Sequence, residues 1–408
     1  MLPFERVRAQ NNTYARRKHV RTHAVGQKHP HHIHLGAILY SHVLPFMKKN
    51  AVLLIALVAA AITSCIVPPD KAYLDYFDWK TLTCLFCVLA VVCALKNIRF
   101  FFFLAQKIVR AFKNARACVL ALAYVTFIGS MLIANDMALL TFLPLGYFVL
   151  TSTGKKKYMA FTFIMQNIAA NLGGMLTPFG NPQNLYLYTK FAIPTGEFMW
   201  IMLPPFLISV ALITLCCFVF VKKEPLTIEE DKITLPLWRT LVYGVLFALS
   251  IVIVFRVIPF WIGLIVIPIA LLFLDRKALG KVDYGLLLTF MAFFVFSGNM
   301  ARIPAVQRAF GDLMQKNSLL VSTLSCQIIS NVPSAILLSQ FTGNYQSLLL
   351  GVNIGGCGTL ISSLASLITF REYLSHNPDG VKKYLLLFSA FNFAFLGILL
   401  GACALLLL

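Results

Sequence analysis

The stretch Asn171-Leu-Gly-Gly-Met-Leu-Thr177 recurs in the second half of the chain as Asn353-Ile-Gly-Gly-Cys-Gly-Thr359. Five of the seven positions are identical or exchange Leu for Ile. In both copies an Asn and two adjacent glycines interrupt an apolar segment, where a simple membrane-spanning helix would be continuous. The repeat therefore predicts two related halves, each containing a helix that is broken at membrane depth.

The composition is typical of a polytopic membrane protein. Of the 408 residues, 59% are hydrophobic and 12% are charged, whereas soluble domains carry about 25% charged residues. The formal net charge of +20 comes from short basic clusters between long apolar runs. This distribution favours basic cytoplasmic loops over binding of nucleic acid. We therefore expect a multi-pass protein of the cell (plasma or inner) membrane, embedded in the lipid bilayer, with a cytoplasmic N-terminus and no nucleic-acid partner.

Apolar segments alternate with segments that Gly, Asn and Pro interrupt. A helix needs about 20 apolar residues to cross a bilayer. The predicted spans are 51–67, 79–95, 117–133, 197–221, 239–257, 258–274, 284–300 and 384–408. The interrupted apolar segments are 134–150, 160–190, 318–341 and 345–370. Non-helical backbone at this depth requires cover by protein or by a water-filled cavity.

The chain divides into four regions. Residues 1–46 are a basic, His-rich extension, which we expect to be disordered or an artefact of the assigned start site; a metal-binding or lipid-attracting tail is the alternative. Residues 47–221 form the first transmembrane repeat and 239–408 the second. Between them, 222–238 contains four acidic residues and two prolines but no apolar run, which indicates a cytoplasmic linker.

The charges of the loops predict that equivalent spans run in opposite directions. The loop 68–78 is acidic, whereas 96–116 carries six basic residues, so 79–95 runs inward. The basic loop 276–281 precedes 284–300, which therefore runs outward. Equivalent spans of opposite direction are the inverted-topology repeat found in many secondary transporters.

Asp136 is the one acidic residue within an apolar segment; the other fourteen lie in loops, in the N-terminal extension or near span ends. A carboxylate at this depth costs several kcal/mol unless it is paired, hydrated or protonated. Asp136, together with Asn135, therefore predicts a site for Na⁺ or H⁺. The alternative is a local helix cap, because Asn and Asp are favoured at helix N-termini.

A second set of polar residues surrounds the repeated stretch. Thr177-Pro-Phe-Gly-Asn-Pro-Gln-Asn184 predicts a non-helical turn whose free amides bind an anion and whose free carbonyls bind Na⁺; a surface turn is the alternative. In the second half, Asn331 precedes Pro333, and the nearby serines have back-bonding to their own helix as an alternative role. The candidate ion- and substrate-binding residues are Asn135, Asp136, Thr177, Gly180, Asn181, Asn184, Ser330, Asn331, Asn353, Thr359 and Ser363, with Na⁺ assigned to Asn135, Asp136 and Asn331.

At these motifs the chain resembles the ion transporter superfamily, which includes citrate and dicarboxylate permeases, arsenite permeases and some Na⁺/H⁺ antiporters. The resemblance covers about residues 47–408. It implies an all-α polytopic membrane protein with two inverted-topology repeats, re-entrant helical hairpins and broken helices, about 10–11 spans in total. It also implies a homodimer, with substrate and coupling ion bound where the hairpin tips meet the broken helices.

The hairpin tips depart from one branch of this superfamily. Sodium-coupled dicarboxylate members carry Ser-Asn-Thr at both tips. Here the tips read Ala134-Asn135-Asp136 and Ser330-Asn331-Val332, so one tip gains a negative charge and the other loses a hydroxyl. The pattern therefore resembles the citrate-like and arsenite permease branches more closely.

The leading hypothesis is a secondary active transporter that moves an anion, either a citrate-like carboxylate or an inorganic oxyanion. Transport would be coupled to Na⁺ or H⁺ and proceed by an elevator-type alternating-access mechanism. A Na⁺/H⁺ antiporter or an arsenite/antimonite efflux permease is the alternative. We do not expect an enzyme, because His376 is the only His outside the extension and the apolar segments contain no carboxylate cluster. No cofactor is expected beyond the coupling ion.

Overall fold

The two repeats are seen in a computed structural model that describes residues 51–226 and 234–407. The described residues form seventeen α-helices joined by short loops and 3₁₀ turns. The N-terminal extension 1–46 and the middle of the linker lie outside these ranges. Each predicted span coincides with a helix whose ends differ from the prediction by at most three residues.

The first repeat begins with a short apolar helix and ends with a long one, and between them it carries a hairpin and a broken helix. Asp78 fixes the start of the second helix, because its carboxylate accepts from the backbone N–H of Thr81 at 2.9 Å. The helices are α1 (Ala51–Ile66), α2 (Trp79–Asn97), α3 (Phe100–Arg110), α4 (Ala115–Ile133), α5 (Asn135–Ser152), α6 (Met159–Gly173), α7 (Pro182–Lys190) and α8 (Thr195–Phe220).

From α12 (Tyr284–Ala301) onward, the second repeat has the same order of parts as the first repeat has from α2 onward. Asp283 starts α12 as Asp78 starts α2, by accepting from the N–H of Leu286 at 3.0 Å. The helices are α9 (Leu237–Val254), α10 (Phe260–Leu274), α11 (Arg276–Leu279), α12 (Tyr284–Ala301), α13 (Pro304–Ile329), α14 (Asn331–Leu338), α15 (Tyr345–Ile354), α16 (Leu364–His376) and α17 (Val381–Leu406).

Helix α13 is two helices joined at a kink. Asn317 has the non-helical angles φ −160° and ψ 84°, and its side chain accepts from the N–H of Leu320 at 2.9 Å. In the first repeat Asn114 starts α4 in the same way, accepting from the N–H of Ala117 at 3.0 Å. The part of α13 before the kink therefore corresponds to α3, and the part after it corresponds to α4.

Each repeat contains a helical hairpin with a sharp bend at a residue other than glycine. The bend in the first repeat is Ala134 (φ 63°, ψ 153°) and in the second it is Ser330 (φ 74°, ψ 159°). This region of φ and ψ is essentially restricted to glycine and costs about 1–3 kcal/mol for other residues. Such strain is retained where the surrounding structure fixes it, commonly at functional sites.

Six helices in the described part of the chain are long and apolar enough to cross a membrane. Among these are α2, α4, α8 and α9, whereas α1 and α10 are apolar but shorter. The protein is thus a multi-pass membrane protein. Its fold is the expected all-α arrangement of two inverted-topology repeats with hairpins and broken helices.

Candidate ion and substrate site

Both hairpin tips end at a broken helix. In the first hairpin, Nδ2 of Asn135 donates to Oδ1 of Asn171, which lies in α6, at 3.4 Å. In the second, the backbone N–H of Asn331 donates to the carbonyl of Ser362, just before α16, at 3.0 Å. Each tip also has a local hydrogen bond. The side-chain oxygens of Asn135 and Asn331 accept from the backbone N–H of the following residue, Asp136 or Val332, at 2.9 Å. Each tip is therefore bound to the broken helix of its own repeat.

The breaks in the helices follow from glycine and proline. Helix α6 ends at Gly173, and α7 resumes with Pro182 at its first position, where a missing N–H costs no hydrogen bond. A Cβ atom on Gly173 would lie 2.2 Å from the carbonyl oxygen of Phe127. A Cβ on Gly355 would lie 2.9 Å from Sγ of Cys326. The glycines of the repeated stretch thus allow each broken helix to approach the first helix of its hairpin.

The two broken helices cross, and asparagines from one contact the backbone and side chains of the other. Oδ1 of Asn171 accepts from Oγ of Ser363 at 2.7 Å, and its Nδ2 donates to the carbonyl of Gly356 at 3.4 Å. Nδ2 of Asn353 donates to Oδ1 of Asn184 at 2.7 Å. Asn181 completes the set by donating to Oδ1 of Asn353 at 3.4 Å. The crossing is therefore a buried amide network shared by both repeats.

Two threonines connect each break to its own hairpin in the same way. Oγ1 of Thr177 donates to the carbonyl of Met131 at 2.9 Å, and Oγ1 of Thr359 donates to that of Gln327 at 3.1 Å. Each acceptor lies three residues before the hairpin bend, Ala134 or Ser330. This equivalence supports the inverted repeat at the level of single hydrogen bonds.

Gln327 has a larger role than the sequence indicated. Its Nε2 donates to the carbonyls of Gly355 at 2.9 Å and Cys357 at 3.0 Å, while its Oε1 accepts from the N–H of Thr359 at 2.9 Å. It thus satisfies backbone groups that the broken helix leaves free. A polar residue within an apolar segment is a sequence signal for a functional or structural role. The sequence does not show which groups Gln327 contacts, because they lie about thirty residues away in the chain.

Gly180 and Asn184 shape the first break. A Cβ on Gly180 would lie 2.3 Å from the carbonyl oxygen of Gly174, so this glycine permits a close approach of two backbone segments. Nδ2 of Asn184 donates to the carbonyls of Gly174 and Met175, both at 3.2 Å, and to that of Thr177 at 3.3 Å. These two candidates therefore set the shape of the turn rather than present free polar groups.

A cavity of 680 Å³ lies beside the hairpin tips, and Asn135, Asp136, Ser330 and Asn331 form part of its wall. The rest of the wall is mainly apolar and comes from α1, α12, α13 and neighbouring segments. Among the described residues that line this cavity, Asp136 is the only charged one. The other candidates, including Asn181, Asn353 and Ser363, lie behind the tips at the crossing.

Two buried acceptor oxygens at the site have no hydrogen-bond partner within the described residues: Oδ1 of Asp136 and Oδ1 of Asn181. Groups of three or more His, Cys, Asp or Glu that would suit a transition metal do not occur in the same ranges. A cation here would instead be bound by carboxylate, amide and carbonyl oxygens, the ligands that hard cations prefer.

Inverted repeats, re-entrant hairpins and crossing broken helices with polar groups at their junction define the architecture of a secondary transporter. Residues 42–346 match the sequence model of the citrate transporter family. The chain therefore belongs to the citrate transporter family, within the superfamily that its motifs resemble. The expectation of a membrane transporter rather than an enzyme is confirmed by this membership.

Relatives of this chain are also transporters or membrane proteins. It is 33% identical over 311 residues to the uncharacterized transporter MJ0456 of Methanocaldococcus jannaschii, covering 76% of this chain and 85% of the relative. It is 29% identical over 333 residues to the inner membrane protein YbiR of Escherichia coli K12, covering 78% and 86% respectively. The fold is similar to that of the Alcanivorax borkumensis YdaH transporter, with a TM-score of 0.56 at 12% identity, over 89% of this chain and 98% of that one.

Proposed function

We propose that this protein is a secondary active transporter that moves an anion, a citrate-like carboxylate or an inorganic oxyanion, together with Na⁺ or H⁺. The observation that carries the proposal is the buried Oδ1 of Asp136, which has no hydrogen-bond partner in the described residues. A carboxylate in an apolar environment is stable only when a proton or cation offsets its charge. Asn135, the residue before Asp136, provides a neighbouring amide oxygen.

The charges of the cavity wall explain why anion and cation would bind together. Asp136 is the only charged residue among the described ones that line the cavity, so an anion that enters beside them meets a negative charge. Two like charges 4 Å apart repel by about 4 kcal/mol at an effective dielectric constant near 20. A cation or proton on Asp136 removes this repulsion, so each ligand increases the affinity for the other.

The helix N-termini at the tips provide attraction for the anion. Helices α5 and α14 start at the bends, with Asn135 and Asn331 as their first residues. The N-terminus of a helix carries partial positive charge from the aligned peptide dipoles. Both helices start at the cavity wall, so an anion between the tips would face two positive helix ends.

The hydrogen-bond network supports an elevator-type motion. Both tips and both broken helices are connected through Asn171, Ser362, Ser363 and Asn353. A group that is bonded internally in this way would move as one body and carry the site with it. We further propose a homodimer in the cell membrane with a cytoplasmic N-terminus.

A Na⁺/H⁺ antiporter is the second candidate, and one observation favours it. Asp136 has no basic partner among the described residues of the cavity wall, and a single carboxylate of this kind is sufficient to bind H⁺ and Na⁺ alternately. In that case no anion would be required for activity. The arrangement of two helix N-termini at the cavity is the reason to prefer anion transport.

A ligand-binding screen separates the two candidates. The thermal stability of the purified protein would be measured with citrate, dicarboxylates, sulfate, phosphate and arsenite, each with and without Na⁺ and at two pH values. A ligand at 100 times its dissociation constant stabilises the folded state by about 2.7 kcal/mol. Anion transport predicts that one anion raises the melting temperature only with Na⁺ or only at the lower pH. Stabilisation by Na⁺ alone, weaker at low pH and unaffected by every anion, would contradict it and support antiport.

A further inference from the structure

The end of α9 makes a polar contact with α7 that the proposed binding site does not use. Nη1 of Arg256 donates to the carbonyl of Ile193 at 3.2 Å, and its Nη2 donates to the carbonyl of Tyr188. The guanidinium carbon also lies 3.9 Å from the centre of the Tyr188 ring. The guanidinium group thus binds the last turn of α7 and the chain that follows it.

The preceding residue contacts the opposite end of the same helix. The ring of Phe255 packs edge-on against that of Phe179, with 5.7 Å between the ring centres. Phe179 lies in the turn before α7, whereas Tyr188 lies in its last turn. Two consecutive residues after α9 therefore contact the chain on both sides of a nine-residue helix.

The backbone at Arg256 is adapted to this contact. Arg256 has φ 64°, in the left-handed region that is unfavourable for a residue with a Cβ atom. Strain of this kind persists only where the surrounding structure fixes it. Its guanidinium is matched to its position, because positive charge is favourable at the C-terminal end of a helix. Both the backbone conformation of Arg256 and its positive charge therefore favour this contact with the C-terminal end of α7.

The two helices share α2 as a neighbour but otherwise pack against different elements. Helix α9 packs against α2 and α10, whereas α7 packs against α14 and α15 of the second hairpin and broken helix, and also against α2. The first residues of α7 follow Asn181, and Asn184 lies in its first turn. A displacement of α7 relative to α9 would therefore displace the candidate site.

We propose that Arg256 is a positioning residue that holds α7 against α9 in the present conformation and releases it during the transport cycle. This Arg256 clamp rests on the alternating-access part of the proposed function. It sets the ratio between two conformations without touching substrate or ion. Removal of the guanidinium destabilises only the clamped conformation, so the population moves toward the released one.

The test measures that ratio by the distance between two spin labels. Cysteines would replace Val257, beside the clamp, and Gly196, at the start of α8, in a chain whose accessible Cys65 and Cys216 are replaced by serine. Val257 is 74% exposed, and a Cβ at Gly196 would meet open space. Thr195, the neighbour of Gly196, is hydrogen-bonded to the hydroxyl of Tyr188 at 2.7 Å, so this label reports on the end of α7.

Arg256→Gln is expected to change the ratio of short to long distances by about tenfold in favour of long ones, as expected for loss of charge-assisted hydrogen bonds. Arg256→Lys retains the charge without the two-pronged geometry and is expected to give an intermediate ratio. The matched control is Arg239→Gln, at the exposed start of α9, which should leave the ratio unchanged.

Distances in Arg256→Gln and Arg256→Lys that equal those of the parent chain would overturn the clamp. The same holds if Arg239→Gln shifts the distances as strongly as Arg256→Gln does. The measurement needs no substrate, so it is independent of the proposed cargo. A shift without any detectable anion transport would support the clamp and count against the proposed function.

Discussion

Oδ1 of Asn184 accepts a 2.7 Å hydrogen bond from Nδ2 of Asn353, a residue 169 positions further along the chain. Both side chains are buried, one in α7 of the first repeat and one in α15 of the second. Asn353 also donates to the carbonyl of Leu349 at 2.8 Å. The two repeats are thus joined at the middle of the fold by amides that use both their donors and their acceptors.

Removal of either amide is expected to destabilise the protein. Asn184→Ala or Asn353→Ala leaves a buried partner without a hydrogen bond, which costs about 1–3 kcal/mol. Thermal unfolding in detergent would measure each loss. The double variant should lose less than the sum of the single losses, with a coupling energy of about 0.5–3 kcal/mol. Strictly additive losses would show that the two residues do not stabilise each other.

Much of this architecture can be predicted from the sequence because its signals are local. The Asn-x-Gly-Gly stretches indicate the breaks, because glycine permits two backbone segments to approach closely and asparagine can bind the backbone groups that a break leaves free. The ends of spans depend on contacts that the local sequence does not specify. The apolar run around α9 continues to Val257, but the helix ends at Val254 because Arg256 adopts a left-handed conformation.

Contacts between distant segments could not be predicted. Arg256 lies inside the predicted span 239–257, and its acceptors lie 63 and 68 residues away in the chain. The amide of Gln327 likewise binds carbonyls 28 and 30 residues away, at the second break. Nothing in the local pattern specifies which carbonyls a long polar side chain will reach. The sequence therefore suggests the residues of the candidate site but not the hydrogen bonds that connect them.

The glycines of the breaks give a second prediction. Gly173→Ala places a Cβ 2.2 Å from the carbonyl oxygen of Phe127, which requires a backbone shift and costs about 1–3 kcal/mol. We expect a lower melting temperature and a lower yield of monodisperse protein. Gly397→Ala in α17 is the matched control, because a Cβ there meets no atom within 4 Å. Equal stability of the two variants would contradict a close approach at Gly173.

The start of the linker gives a prediction for pH. Glu224 accepts from Nζ of Lys155 at 2.8 Å, from Nζ of Lys157 at 2.5 Å and from the hydroxyl of Tyr158 at 2.9 Å. These hydrogen bonds, with Lys155 first, lower the pKa of Glu224 from 4.5 to about 2. A depressed folded-state pKa stabilises the protein above the unfolded value, and this contribution is lost as the pH falls.

We therefore expect the Glu224 contribution to be complete above about pH 4.5 and to disappear as the pH falls toward about 2. Melting temperatures across this range would measure it. Glu224→Gln should be less stable than the parent chain at neutral pH, and the difference should narrow in acid. The control is Asp312→Asn at an exposed position of α13. A constant difference between Glu224→Gln and the parent chain at all pH values would contradict the prediction.

Asp136 is the centre of the proposed coupling, and its replacement is the fourth prediction. Asp136→Asn keeps the size of the side chain but removes the negative charge that a cation or proton offsets. Uptake driven by a Na⁺ or pH gradient should fall by at least about tenfold, the effect of losing about 1.4 kcal/mol of ion binding. Folding and membrane insertion should be retained, because Oδ1 of Asp136 makes no hydrogen bond within the described ranges.

The most direct measurement is uptake of the anion identified by the binding screen into proteoliposomes under an imposed Na⁺ or proton gradient. Three proteins would be compared: the parent chain, Asp136→Asn, and Asp379→Asn, which alters an exposed loop carboxylate. We predict that the gradient accelerates uptake by the parent chain and by Asp379→Asn but not by Asp136→Asn. Gradient-driven uptake by Asp136→Asn at the parental rate, with the same Na⁺ and pH dependence, would contradict the account.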